Sequence, residues 1–185
     1  MKNRLTAAII AGGKSRRFGS QKLLAIKEGK RLIDYALELS FSLSDRILLV
    51  GDLELNVPDS VSRVKDLVPG CGPIGGIYTA LESAKEGWVA VLPGDMPYLT
   101  SEVYNYLLGK TEDERPIVAV SPDGIEPLVS LWPVKCSSFL KERISKRNYK
   151  LREALSGCMA VEEDISHLVK SEPRLLLNIN YQDDI

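Results

Sequence analysis

Leu5 to Ile10 is a nearly unbroken run of apolar or small residues, which predicts a strand covered on both faces. In "RLIDYALELSFSL" the period changes, and Leu32, Ile33, Ala36, Leu37, Leu39 and Leu43 fall on one broad helical stripe. "RILLV" (Arg46 to Val50) reads as a second buried strand, ending at Gly51-Asp52. A short strand around Val64 leads to Asp66, and the Gly- and Pro-rich "PGCGPIGG" opens a helix through Ile77, Ala80, Leu81 and Ala84. "WVAVL" (Trp88 to Leu92) is the third strong strand and stops at "PGDMP". Thr100 stands where the next helix needs a cap, and that helix closes at Gly109.

Strands alternating with helices at this spacing predict an α/β fold: a mostly parallel, Rossmann-like sheet with right-handed crossovers and helices on both faces. Beyond residue 116 the pattern changes. Two apolar runs flank Asp123-Gly124, a hairpin signal inserted into the sheet. A helical stretch from Ser137 to Ser156 follows, then a last apolar run, "LLLNIN". With no repeat, low-complexity tract or linker in view, residues 1–185 read as a single domain.

Composition narrows this picture only a little. A chain of 185 residues supports one well-buried core, and 44% apolar with 26% charged residues is ordinary for a globular protein. The net charge of −1 creates no global pull towards nucleic acid or membrane, so recognition of an anion has to be local. The 3 cysteines (Cys71, Cys136, Cys158) are odd in number, far apart in sequence and without a C-x-x-C pair. That argues against a disulfide scaffold or zinc site and for a reducing, cytoplasmic setting. The amino terminus has basic residues before an apolar run, but the run is about six residues, too short for a signal peptide. No stretch approaches the ~20 apolar residues of a membrane span.

Three unusual loops follow predicted strands: residues 11–22, 66–76 and 93–97. Ligands of open α/β sheets bind beyond the carboxyl ends of strands, so the coincidence matters more than any one loop. "IIAGGKSRRFGSQK" fits neither the Rossmann fingerprint nor a Walker A loop, in which Lys rather than Ser20 would follow the last glycine. It still has the makings of a phosphate cradle. Glycines let backbone N–H groups approach oxygens, and Lys14, Arg16, Arg17 and Lys22 add positive charge. A solvated basic turn is the alternative for the charge run alone. Asp95, braced by Pro93 and Pro97, is placed to hold a divalent cation beside phosphate oxygens, or else simply to fix a turn. Asp66 ends another strand at the same sheet edge, so that two carboxylates would face one basic loop. His167, the only histidine, lies in an acidic, irregular segment and reads as surface; Trp88 and Trp132 read as core.

Taken together, "IIAGGKSRRFG-SQK", "KDLVPGCGPIGGI", "LPGDMP" and the terminal "NIN" resemble the nucleotidyltransferases of molybdenum cofactor maturation. The likeness is greatest to the guanylyltransferases, which join GMP from GTP to molybdopterin. The resemblance implies that the backbone of Ile10, Ala11, Gly12 and Gly13 meets the nucleotide base and phosphates. Arg17 and Gly19 match the R-M-G piece, with Phe18 for Met, and Lys22 is the loop lysine that contacts the triphosphate. Asp66 matches a guanosine-nucleotide contact, Gly72, Pro73 and Gly75 or Gly76 the G-P-L-x-G stretch, and Asp95 the magnesium ligand. Asn178 and Asn180 match active-site side chains. The likeness also implies protein partners among cofactor-biosynthesis proteins or molybdoenzymes. Departures are Gln21 where an Asp usually precedes the lysine, Gly94 for a common Cys, and Tyr181-Gln182 for Thr-Pro.

The expected reaction is magnesium-dependent nucleotidyl transfer, catalysed by Arg17, Lys22 and Asp95 without a general base. One rival is the same chemistry with CTP, on the same pterin or with a sugar phosphate as acceptor. A rival of another class is a module that binds a nucleotide without turning it over.

Overall fold

Leu5–Ile10 forms β1, which is buried along its whole length and therefore needs a covering layer on each face. The computed structural model describes residues 5–11, 22–52 and 55–180. After β1 come a small antiparallel pair, β2 (Ile26–Lys27) and β3 (Lys30–Arg31), then α1 (Leu32–Leu43), β4 (Ile47–Val50) and β5 (Val61–Val64). Next are α2 (Pro73–Ala84), β6 (Trp88–Pro93), α3 (Ser101–Leu108), β7 (Ile117–Ser121) and β8 (Gly124–Pro133). The chain continues through α4 (Ser137–Ser145), α5 (Leu151–Gly157), β9 (Val161–Asp164) and α6 (Ser166–Ser171).

The main sheet has 7 strands in the order β5-β4-β1-β6-β8-β7-β9. β1 pairs in parallel with β4 and β6, β4 with β5, and β7 with β9. β8 runs against both neighbours because the tight turn before Gly124 folds it straight back on β7. The mostly parallel sheet and the hairpin are those the sequence predicts.

Successive residues of the central strands feed two cores. Ala7, Ile9, Ile47, Leu49 and Leu92 pack with Ile33 and Leu37 of α1 and Val103 and Leu107 of α3. Ala8, Ile10, Leu48, Val50 and Val91 pack with Ile77 and Leu81 of α2, Leu140 of α4 and Leu155 of α5. Every member of the predicted α1 stripe is buried. Trp132 is fully buried, Trp88 packs half-buried against the first core, and His167 is exposed with its ring edge-on to Tyr106.

Two local expectations need revision. Thr100 takes the N-cap backbone conformation of α3, yet its side chain makes no capping bond. The stretch 137–156 is two helices, not one. Arg147 adopts a left-handed φ of 58°, a conformation that ends a helix, while the Asn148 N–H donates back to Arg143 O at 3.0 Å. The break lets α5 fold back until Gly157 lies against the Phe139 ring, where a Cβ would come within 2.8 Å of Phe139 Cζ. The sequence hides it because Ile144 and Leu151 are two helical turns apart and keep the apolar stripe in phase. Cys136 and Cys158, distant in sequence, are hydrogen-bonded neighbours and remain free thiols, as the sequence predicts. The bond from Cys158 favours the Cys136 thiolate and lowers its pKa, while Cys158 is pushed up.

Among the described residues, no helix is long and apolar enough to cross a membrane.

Candidate active site

The sheet grows in opposite directions from β1, with β4 and β5 on one side and β6 on the other. The ends of β1 and β6 therefore adjoin, with Ile10 beside Pro93, at the topological switch point where open α/β sheets have their ligand crevice.

Lys22, Asp95 and Asn180 meet there. Lys22 opens a short 3-10 turn, Lys22–Leu24. Its Nζ lies 2.5 Å from Asp95 Oδ2 and donates to Asn180 Oδ1 at 3.3 Å. The paired side chains are only 12% and 23% exposed, so solvent screens the ion pair weakly. The sequence places its two partners on either side of this pair. Leu23 is buried over Gly94, where a Cβ would stand 2.8 Å from Leu23 Cδ2. Gly94 thus makes room for the turn that delivers Lys22. On the other side the Ile179 N–H donates to the Asp95 carbonyl at 3.0 Å, and the Ile179 side chain is fully buried. That anchor brings the last apolar run to the end of β6 and puts Asn180 next to Lys22. Asn178 is half-buried, and its Oδ1 is buried with no hydrogen-bond partner among the described residues.

Ile10 and Ala11 leave β1 at the crevice floor. The Ala11 N–H is committed to Val50 O at 2.9 Å, so Ala11 can meet a ligand only through its carbonyl or methyl group. Gly12, Gly13, Lys14, Arg16, Arg17, Phe18, Gly19 and Gln21, and likewise Tyr181 and Gln182, lie outside the described residues.

Asp66 is held differently. Its Oδ1 accepts from the Val68 N–H at 3.0 Å and from Thr79 Oγ1 at 3.1 Å. Strand order sets β5 three positions from β6, roughly 14 Å at ~4.8 Å per strand. The two carboxylates therefore do not share one cation, and the basic loop they are expected to face lies outside the described residues. Among the described residues no group of three or more His, Cys, Asp or Glu gathers as a metal cage. A single carboxylate nevertheless suits magnesium, which takes one or two carboxylates and fills its shell with water and phosphate oxygens. Asp95 already carries a cation, the Lys22 ammonium.

The glycines after Asp66 fix how α2 docks. Gly72, at φ 70°, precedes Pro73 at the first turn. A Cβ on Gly75 would sit 3.1 Å from Val68 O, and one on Gly76 would sit 2.9 Å from Ile10 Cγ2. Gly76→Val is expected to push α2 away from the end of β1 and lower stability by ~1–3 kcal/mol. An unchanged urea midpoint would show that the contact yields freely. Sequence reasoning missed Thr79 and the Ile179 anchor. The signal for Thr79 was a hydroxyl on the buried stripe of α2, between Tyr78 and Ala80.

Comparison with known proteins agrees with this architecture. The MobA-like NTP transferase domain matches residues 7–162. A probable molybdenum cofactor guanylyltransferase of Thermococcus kodakarensis is 32% identical over 98% of this chain and 92% of its own. One from Aquifex aeolicus is 31% identical over 97% of this chain and 88% of its own. The crystal structure of molybdopterin-guanine dinucleotide biosynthesis protein A from Archaeoglobus fulgidus superposes with a TM-score of 0.79 at 27% identity, covering 97% of this chain and 94% of that one. With the strand order, the crevice and these matches in agreement, the chain belongs to the MobA-like NTP transferase family and is a nucleotidyltransferase.

Proposed function

We propose that this nucleotidyltransferase transfers GMP from GTP to molybdopterin, releasing pyrophosphate, with magnesium as its cofactor. The observation that carries the reading is the shielded Lys22–Asp95 pair at the mouth of the β1–β6 crevice, 2.5 Å across. It sets one cation and one anion where a triphosphate and its metal would each need a partner. The names borne by the relatives from Thermococcus kodakarensis and Aquifex aeolicus support the choice of substrates.

A terminal phosphate oxygen of molybdopterin attacks the α-phosphorus of GTP, the bond to the bridging α–β oxygen breaks, and that oxygen leaves with pyrophosphate. A phosphate monoester with a second pKa of ≈ 6 is already an anion at neutral pH, so the nucleophile needs no general base. His167, exposed beside Tyr106, is not placed to act as one. The chain's task is alignment and charge neutralisation. Lys22, exchanging Asp95 for phosphate oxygens, offsets charge on the departing pyrophosphate, a task the resemblance also gives Arg17. Asn180 keeps the Lys22 ammonium over the crevice through its second contact. When bound, magnesium held by Asp95 supplies further neutralisation of the phosphate oxygens.

Pyrophosphate release with each nucleoside triphosphate, with and without molybdopterin, tests this reading. GTP is expected to exceed CTP by at least tenfold in kcat/KM, a ratio that needs only ~1.4 kcal/mol of differential transition-state binding. The expectation follows from the resemblance: Ile10-Ala11-Gly12-Gly13 matches the L-A-G-G loop of the guanylyl branch, whereas the cytidylyl relatives tend towards T-A-A-G. A CTP preference would assign the sister activity on the same fold. Release with no nucleotide would leave a binding module.

A further inference from the structure

We propose that Thr79 is a positioning residue of the nucleotide site, acting through Asp66 to set which carboxylate oxygen faces the base. The inference rests on the reading of Asp66 as a guanosine-nucleotide contact.

Asp66 follows the edge strand β5 and is half-buried, so its carboxylate has no strand-to-strand packing to fix its rotamer. Thr79, one element later on α2, is fully buried. Its hydroxyl is engaged on both sides: it donates to Asp66 Oδ1 at 3.1 Å and accepts from the Leu67 N–H at 3.0 Å. The Val68 N–H donates to the same Oδ1 at 3.0 Å. Two donors from different elements thus hold Oδ1, while Oδ2 accepts nothing from the described residues. A buried hydroxyl with both capacities used is a rigid reference point, because either bond can break only by leaving a buried polar group unpaired. The loop is further tied down where Gly75 lies under Val68 O and Cys71 Cβ.

A carboxylate accepts hydrogen bonds and cannot donate them. Among the purines, guanine presents two adjacent donors on one edge, N1–H and the 2-amino group, and adenine lacks that pair. A fixed Oδ2 therefore discriminates by base, and losing its fixation weakens nucleotide binding without altering the phosphate chemistry.

Thr79→Val keeps the shape and removes both bonds. It is expected to weaken GTP binding, measured by calorimetry and by KM, by about 5- to 10-fold, because Asp66 keeps its charge and its bond from the Val68 N–H and loses only its second fixing donor. kcat at saturating GTP should stay within about 2-fold, and the preference for GTP over inosine triphosphate, which lacks the 2-amino group, should fall towards that of Asp66→Asn. Thr79→Ser should restore both values. In Asp66→Asn the further change Thr79→Val should cost nothing, since Thr79 acts through the carboxylate. Losses that add, or wild-type GTP binding in Thr79→Val while Asp66→Asn binds weakly, overturn the proposal and leave the guanylyl reading standing. Wild-type binding and discrimination in Asp66→Asn overturn the proposal together with the nucleotide role of Asp66. Should the valine variant fail to fold, Thr79→Cys, similar in size but a weak donor, is put through the same measurements.

Discussion

Asp95→Asn is expected to lower turnover by ~10²–10³-fold, the scale on which a preorganised electrostatic group contributes to a transition state. The change conserves shape and removes the charge that would hold magnesium. It also turns a neutral amide towards Lys22, whose ammonium sits 2.5 Å away and is only 12% exposed. The fold should survive, because the link to the carboxy-terminal segment uses the Asp95 carbonyl and not its side chain. Steady-state pyrophosphate release over a magnesium titration, beside a urea unfolding curve, separates the two effects. Wild-type activity at low magnesium would reduce Asp95 to a turn residue.

Lys22→Ala should cost roughly 10- to 150-fold in kcat/KM for GTP, as expected for the loss of a charge-assisted contact of ~1.5–3 kcal/mol. Arg16→Ala, a change beside the motif arginine, should cost much less, and equal small losses would restore the solvated-turn reading of this loop. The structure adds a second readout. The Lys22 ammonium sits on Oδ2 of Asp95, the carboxylate that would hold the metal. Removing it should tighten Mn²⁺ binding to the nucleotide-free protein, followed by electron paramagnetic resonance. An unchanged affinity would mean that lysine and metal do not compete. For the same reason the losses of Lys22→Ala and Asp95→Asn should fall well short of adding, since each strips the other of its partner.

Much of this arrangement is legible in the chain because its signals are local. β1, β4 and β6 are short apolar runs with nowhere to go but a doubly covered sheet, and a glycine stands within two residues of the end of each. Proximity is what the sequence withholds. Asp66 and Asp95 both follow strands, and only the strand order shows that those strands stand three positions apart. Likewise the Arg147 break leaves no mark on the apolar period, and Cys136 and Cys158 meet only because α5 folds back. The Ile179 anchor is a backbone bond that no residue type announces. Gly94 reads as a departure until Leu23 is seen to fill the space above it.

The central place of β1 has a consequence for how the protein is made. Synthesis runs from the amino terminus, so the strand that ends between β4 and β6 is the first to appear. Its 6 residues are all destined for burial, yet one ladder partner arrives with Ile47–Val50 and the other only with Trp88–Pro93. Through that interval a nascent chain carries an apolar strand with an unpaired edge, the kind of segment that recruits a second chain. Pairing across such sequence separations is also slow once it becomes possible. The strand at the crevice floor is thus the segment most in need of protection on the ribosome, and changes that delay β6 should reveal themselves first as lost yield of soluble protein, before any loss of activity per molecule.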